Sequence, residues 1–364
     1  MRVIGIDPGT VSFDLCGLDG DDVFIDGVFP SADLGADSSA LIEAVRRCMP
    51  LDLVVGPSGY GLPWVRGENV GERELSLMLL VRADERKTGV GIGGMRGLIR
   101  ALIGTGAPLV FAPGVVHLPS VPAYRKANRI DMGTADKVCS AAQAIAEQAL
   151  RYNIAFDQTS FIMLELGGAF SAAIAVAGGA IVDGAGGSSG PLGFRAGGAM
   201  DGEAAYLLGA GLSKDTIFSG GARDIAGEAG RSVAFEHWQS DARLRPAWLA
   251  WLESFVKTAL ALTVATPQPR EIVLSGRMSK LPEVVAALSW RLAPIAPVRA
   301  LSGLQHADGA PLRSKSAAQG AALIANGLLG GRYAALVAAM RLQGAAGTVL
   351  DHLHLRGADG ICLG

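Results

Sequence analysis

The chain has 364 residues, half of them hydrophobic, which is ample for two domains rather than a single core. A net charge of −2, a pI of about 6.2 and no basic block argue against a nucleic-acid surface, and no apolar run approaches the roughly 18 residues of a membrane span. The mean hydropathy is +0.34, and the first residues show no basic stretch or cleavage site, so a cytoplasmic protein is expected.

Residues 2–15 place two short apolar runs, 3–6 and 11–15, around a turn containing Pro8 and Gly9, the pattern of a β-hairpin. Asp7 ends the first run. A carboxylate there, followed by uncovered turn amides, suits a cation-bridged polyphosphate, with Mg²⁺ held through its waters. The same residues also suit an ordinary hairpin with a surface acid. Residues 23–25 and 28–29 read as two further strands split by Asp26-Gly27, and 38–48 as a helix capped by Ser38 or Ser39. Residues 51–55 read as a buried strand opening into the loop 57–67, which suits a substrate wall or a surface connection.

Residues 89–94 match GxGxxG, but a polar run precedes them instead of a strand, so a dinucleotide site is rejected and 95–103 read as a helix with a Gly-rich start. Residues 108–112 read as a buried strand. A polar turn over 125–133 leads into a helix capped by Thr134, with Val138, Ala142, Ile145 and Ala149 at helical spacing, and 152–159 form a hinge region. The four cysteines, Cys16, Cys48, Cys139 and Cys362, form no CxxC, so neither disulfides nor zinc are expected. His352 and His354 read as polar surface. Glycine is in excess, 50 of 364 residues, without periodicity, which places it in turns and close approaches.

A second hairpin over 161–176 repeats the first, with Glu165 ending its first strand and Gly167-Gly168 in the turn. Two copies of strand, acid, glycine turn and strand are a repeat of architecture. The Gly-rich stretch 184–198 carries a single charge, Arg195, and reads either as a flexible connector or as an anion contact made on closure. Trp248, Leu252, Phe255, Ala259 and Leu262 mark a core-facing helix. Residues 271–283 are a strand, a turn at Gly276 open to a flat purine, and a helix with Pro282 in its first turn. The small-residue helix 314–329, with Ala317, Gly320, Ala321 and Ile324 on one face, is expected to pack on the helix after Thr134 as a hinge that can shear. The tail after Gly330 reads as a small helix followed by 347–355.

This order of hairpin, helix, hairpin, strand–Gly–helix and helix resembles the superfamily of acetate and sugar kinases, heat-shock chaperone ATPases and actin, from Arg2 to about Leu329. The resemblance implies an α/β, two-domain actin-like ATPase, with duplicated ribonuclease H-like domains and a nucleotide cleft between them. The domains would be 1–155, 156–315, and an interdomain helix with a tail over 316–364. Within the superfamily, Asp131-Met132-Gly133-Thr134-Ala135-Asp136-Lys137 is similar to the His-Gly-Thr-Ser-His-Lys stretch of acetate and butyrate kinases. Gly193-Phe194-Arg195-Ala196-Gly197-Gly198 resembles their Gly-Thr-Arg-Ser-Gly-Asp segment, whose arginine contacts the transferred phosphoryl group. The phrases GIDPGTVSFDL and RKANRIDMGTADK resemble a family labelled predicted butyrate kinases.

What the resemblance implies is an ATP- and Mg²⁺-dependent kinase. Asp7 and Glu165 would position the metal, Gly9, Thr10, Ser12, Gly167 and Gly168 would meet the phosphates, and Gly276 and Arg277 the adenosine. Arg195 would neutralise the phosphoryl in flight. The turns at Pro8-Gly9 and Gly167-Gly168 are expected to face one cleft. For a short-chain carboxylate acceptor, Arg66, Arg125 and Lys126 would supply cations, and Leu62, Trp64 and Val65 an apolar pocket. An alcohol acceptor would need a base, for which Asp131 and Asp136 are placed. A third reading is a nucleotide-dependent switch. The partners expected are a small-molecule substrate and a second copy in a homodimer, with no nucleic acid and no membrane. Four departures from acetate kinases stand out: Asp7 where they have Asn, the histidines replaced near Met132 and at Asp136, Pro57-Ser58 in place of an arginine, and Pro113 in place of an aspartate.

Overall fold

A computed structural model describes residues 1–9, 12–30, 38–56, 58–82, 90–361 and 363. Two sheets carry the fold. In the first, β1 (Arg2–Pro8), β2 (Ser12–Asp19) and β3 (Asp22–Pro30) form an antiparallel meander, and β4 (Leu53–Gly56) and β6 (Leu109–Phe111) add in parallel on the other side of β1. The short β5 (Val65–Arg66) closes the edge, giving the order β3-β2-β1-β4-β6-β5. The second sheet runs β11-β10-β7-β8-β9, from β7 (Ser160–Leu166), β8 (Ser171–Ala177), β9 (Ala180–Ala185), β10 (Glu271–Ser275) and β11 (Val298–Ala300). Here too a meander, β7-β8-β9, stands on one side of the leading strand, and parallel neighbours, β10 and β11, on the other. The five-strand topology is therefore duplicated. Asp7 and Glu165 are the penultimate residues of the equivalent strands β1 and β7.

The main helices are α1 (Ser39–Arg47), α2 (Glu72–Leu79), α3 (Val90–Ile103), α4 (Ala135–Tyr152), α5 (Gly202–Leu208), α6 (Arg245–Leu262), α7 (Pro282–Leu292), α8 (Ser316–Leu328) and α9 (Ala334–Ala339). Alternation along β7 divides its side chains between two cores. Ile162, Leu164 and Leu166 pack with α6, α7 and an aromatic cluster that includes Phe235, Trp238, Trp248, Trp251 and Phe255. Phe161 and Met163 face the other way, into a core shared with the first sheet and with α4 and α8. Every residue of α8 from Ala317 to Gly327 is buried. Although α8 follows the second sheet in sequence, the chain crosses back so that it lies on β1. Added Cβ atoms at Gly5 and Gly320 would overlap the carbonyl oxygens of Ala318 and Cys139, so only hydrogen fits where α8 meets β1 and α4.

Several expectations need correction. Residues 23–25 and 28–29 are not two strands but parts of β3, because the Asp26 carboxylate accepts the backbone amides of Arg313 and Ser314, at 2.7 and 2.8 Å, while its backbone stays extended. The strand β9 was not expected; Gly178 and Gly179, with φ of 59° and 70°, turn the chain back before it. The helix expected over 95–103 begins at Val90, so glycines of the rejected dinucleotide motif lie within it, while Gly89 lies outside the described residues. Thr134 occupies the cap position of α4, but its hydroxyl bonds the Asp136 carboxylate rather than a free amide. The stretch 184–198 is fixed rather than a loose connector, since Ser188 donates twice to Asp131, and Arg195 and Ala196 donate their amides to Ala169 O. The tail after Gly330 straps the first lobe: Trp64 Nε1 donates to Leu342 O, and Asn128 exchanges hydrogen bonds with His352 and His354. Among the described residues no helix is long and apolar enough to cross a membrane.

Replacing Gly320 by Ala is expected to force α8 away from α4 and to lower unfolding stability by about 1–3 kcal/mol in a denaturant titration. An unchanged midpoint would show that the two backbones are not in contact there.

Candidate functional site

The strand ends bring acids inward. Asp7 and Asp14 face each other in register across β1 and β2 and are only 5% and 1% exposed. Two buried carboxylates side by side require a cation, and Lys315, just ahead of α8, provides it. Its Nζ lies 2.7 Å from Asp14 Oδ2 and 3.4 Å from Asp7 Oδ2, and donates to Ser12 O at 2.7 Å. Its backbone amide donates to Asp14 Oδ1 at 3.1 Å, and the Ser12 hydroxyl donates to Asp14 Oδ2. The Lys315 ammonium stands over Gly9, where a Cβ would collide with it. Thr10 lies outside the described residues.

The first turn of α4 brings a second lysine. Lys137 pairs with Asp136, whose carboxylate also accepts the Thr134 hydroxyl. Burial alone would depress the Lys137 pKa, but the charges of Asp136, Glu165 and Asp7 hold it above the ordinary lysine value. Lys137 thus feels acids from both hairpins. Burial works against Asp136, yet Lys137 and these hydrogen bonds keep its pKa low. Asp7 is the opposite case: burial, with the nearby charges of Asp136 and Asp14, pushes it up to about 7 against the pull of Lys315 and Lys137.

In the second hairpin, Glu165 Oε2 is buried without a hydrogen-bond partner. Gly276, with φ of 85°, lets the end of β10 approach this hairpin; a Cβ there would stand 2.7 Å from Leu166 O and 2.8 Å from Glu165 Oε1. A cleft of about 290 Å³ opens beside it, lined by Gly168, Phe194, Phe235, Glu236, Arg277, Met278 and Leu281. Phe194 is held edge-on against Phe235.

The next residue, Arg195, lies close to Arg223, and among the described residues neither guanidinium has an acidic partner; Arg223 Nε is buried without any. Burial and the Arg223 charge both lower the Arg195 pKa. Two adjoining cations without a counter-charge form a place for an anion. From the segment after α5, Lys214 reaches the first lobe, its Nζ 4.5 Å from the Tyr60 ring centroid, and Phe218 packs edge-on to Phe170 of the second hairpin.

Three of the expected acceptor cations are engaged or placed elsewhere. Lys126 is buried, with Nζ donating to Leu118 O at 2.9 Å. Arg125 donates to Val182 O at 2.9 Å and lies 3.8 Å from Asp183, tying the first lobe to β9. Arg66 is exposed on the edge strand β5, beyond β6. Asp131, expected as a base, has both carboxylate oxygens accepting hydrogen bonds, from Gly133 N and from Ser188 N and Oγ, so it holds the Gly-rich loop; burial raises its pKa against these bonds. Lys137, Arg223 and Lys315 were not among the residues that the sequence marks as candidates. Lys137 stood within the Asp131–Lys137 motif, whereas Arg223 and Lys315 carried no local signal.

Among the described residues no group of three or more His, Cys, Asp or Glu is arranged to hold a metal. Magnesium commonly binds through one or two carboxylates and substrate phosphates. The unpartnered Glu165 Oε2 fits such a role, and Asp7, already facing Lys315, does not.

The duplicated sheets, with the crossing helices α4 and α8 between them, define the class: this is the two-domain actin-like ATPase fold of the acetate kinases. The chain belongs to the family described as "Protein of unknown function (DUF1464)", whose model matches residues 5–355. No curated protein matches the sequence. Among solved structures, the fold is similar to a propionate kinase from Francisella tularensis subsp. tularensis SCHU S4, with a TM-score of 0.60, 11% identity, and 88% of this chain and 98% of that one covered. It is also similar to acetate kinases from Porphyromonas gingivalis (TM-score 0.55, 14% identity, 81% and 88% covered) and Entamoeba histolytica (0.54, 12%, 80% and 87%).

Because Asp7 keeps its proton to about pH 7 when folded and loses it near 3.8 when unfolded, the folded chain binds more protons in that window, and this contribution to stability is lost as pH rises through it. Unfolding free energies of the natural chain and of Asp7→Asn, followed from about pH 4 to 8, are expected to diverge in that window, the natural chain losing stability relative to the variant. Parallel curves would contradict the raised pKa.

Proposed function

We propose that the protein is an ATP- and Mg²⁺-dependent kinase of the acetate and butyrate kinase type, transferring the γ-phosphoryl group to a short-chain carboxylate to give an acyl phosphate. The observation that carries this reading is the duplicated topology, which places Asp7, faced by Lys315, and Glu165, whose Oε2 has no partner, near the ends of equivalent strands of the two sheets. A polyphosphate lying between the hairpins would meet Lys137 from one side and the turn of Gly167 and Gly168 from the other. The cleft lined by Phe194, Phe235, Met278, Leu281 and Arg277 suits an adenosine, and Gly276 lets the end of β10 lie close against the hairpin of Glu165. Glu165 would hold a magnesium ion, which would supply positive charge to offset that of the phosphates.

A carboxylic acid is ionised at pH 7, because its pKa lies near 4, so the acceptor needs no base. Its oxygen forms a bond to the γ-phosphorus while the bond to the β–γ bridging oxygen breaks, and ADP leaves with that electron pair. Arg195 and Arg223 serve to hold the acceptor and the migrating phosphoryl group, and their like charge is relieved when an anion binds. This reading moves the acceptor cations away from Arg66, Arg125 and Lys126. The protein would act in the cytoplasm on a small molecule. A second reading, an alcohol acceptor, is favoured by the Asp7 carboxyl, held at about 7 where a general base is most effective.

Incubation with ATP, Mg²⁺, hydroxylamine and a panel of short-chain acids is expected to yield an acyl hydroxamate. Arg195→Gln is expected to lower the rate by about 10³-fold or more, and Arg223→Gln by about 10²-fold. Acceptor-dependent ADP release from alcohols without hydroxamate would move the assignment to the second reading. Nucleotide binding with no acceptor-dependent turnover would make the protein a switch.

A further inference from the structure

The two hairpins are alike in topology but not in what stands over their turns. Beside the second, Glu165 Oε2 has no partner and the cleft is open. Over the first stands Lys315. We propose that Lys315 is the resident cation of the first hairpin and that its ammonium, in place of a divalent metal held by Asp7, receives the nucleotide's phosphate oxygens there. This rests on the nucleotide reading above.

The geometry gives the ammonium a built position. The Lys315 backbone is held by its own amide, which donates to Asp14 Oδ1, and the adjoining amides of Arg313 and Ser314 donate to Asp26. From that anchor the side chain reaches back over the turn and covers the face of Gly9. An ammonium has three donors. Two make contacts of 2.7 Å, to Asp14 Oδ2 and Ser12 O, whereas the contact to Asp7 Oδ2 is 3.4 Å. The long contact is the one a phosphate oxygen can replace without disturbing the other two. The side chain is 39% exposed, so an anion can reach it, while Asp7 and Asp14 are 6% and 1% exposed. A metal coordinated by Asp7 at this turn would meet the ammonium at close range, with both competing for the same oxygen. The chain has therefore placed a fixed cation where the resemblance to kinases calls for a metal ligand, and the metal is left to the Glu165 side.

Two titrations on the full chain test this: Mn²⁺ followed by electron paramagnetic resonance without nucleotide, and ATP in excess EDTA followed by calorimetry. The natural chain is expected to take up no Mn²⁺ on its own and to bind metal-free ATP. Lys315→Gln is expected to weaken that binding about tenfold or more, and Lys315→Arg, which keeps the charge, to stay within about threefold. Uptake of Mn²⁺ without nucleotide that is abolished by Asp7→Asn would overturn the proposal, and this readout does not depend on whether Lys315→Gln folds. Equal affinity of Lys315→Gln and the natural chain for metal-free ATP would overturn it as well. Binding of Mg·ATP but not of metal-free ATP would overturn the role of Lys315 and leave the nucleotide reading standing, whereas binding of neither would remove both.

Discussion

Everything in this molecule is arranged around the seam where α8 lies backbone to backbone against α4 and β1. At Gly5 and Gly320 there is no room for a side chain, so two helices that belong to different parts of the sequence are held at fixed depth between the sheets. Each helix carries a lysine at its start, Lys137 in the first turn of α4 and Lys315 just before α8. A cation at a helix N-terminus is unfavourable on its own account, because the amides there already present positive charge. Acids compensate for it: Asp136 and Glu165 around Lys137, and the buried Asp14 and Asp7 around Lys315. The close packing thus decides where the charges go, and the charges in turn make the helix ends tolerable.

The duplication makes this economical. One topology, used twice, brings a strand-end acid to the same side of the molecule from each sheet, and the two copies have then diverged. The first has its turn under a lysine; the second has its turn beside an apolar cleft and an unpartnered carboxylate oxygen. The Gly-rich stretch 184–198 is fixed by Asp131 and Ala169, and it carries Phe194 into the cleft wall and Arg195 toward Arg223. Such a stretch can be rich in glycine and still be rigid, since it is the backbone hydrogen bonds that hold it.

Much of the fold was legible from local pattern. The alternation and turn chemistry of 2–15 and 161–176, the strand–Gly–helix unit around Gly276 and the small faces of two helices are short-range features, and the order in which they occur restricts the architecture sharply. Errors fell where a distant contact overrides the local signal. Asp26-Gly27 looks like a break in a strand until Arg313 and Ser314 bond to Asp26, and 184–198 looks loose until Ser188 meets Asp131.

The candidate site was legible in its acids and glycines and much less so in its cations. Asp7, Glu165 and Gly276 are marked by their places at strand ends, which the pattern of apolar residues reveals by itself. A lysine or arginine on the surface of a sequence carries no such mark, because its long side chain acts wherever the fold happens to deliver it. The residues by themselves therefore determined the duplicated hairpins and the elements around them. Only the tertiary structure decided that Arg125 and Lys126 serve the framework, that Arg195 finds Arg223, and that Lys315 comes to rest on Asp14 and Asp7, since a buried charge is paired by proximity in space and sequence distance says nothing about it.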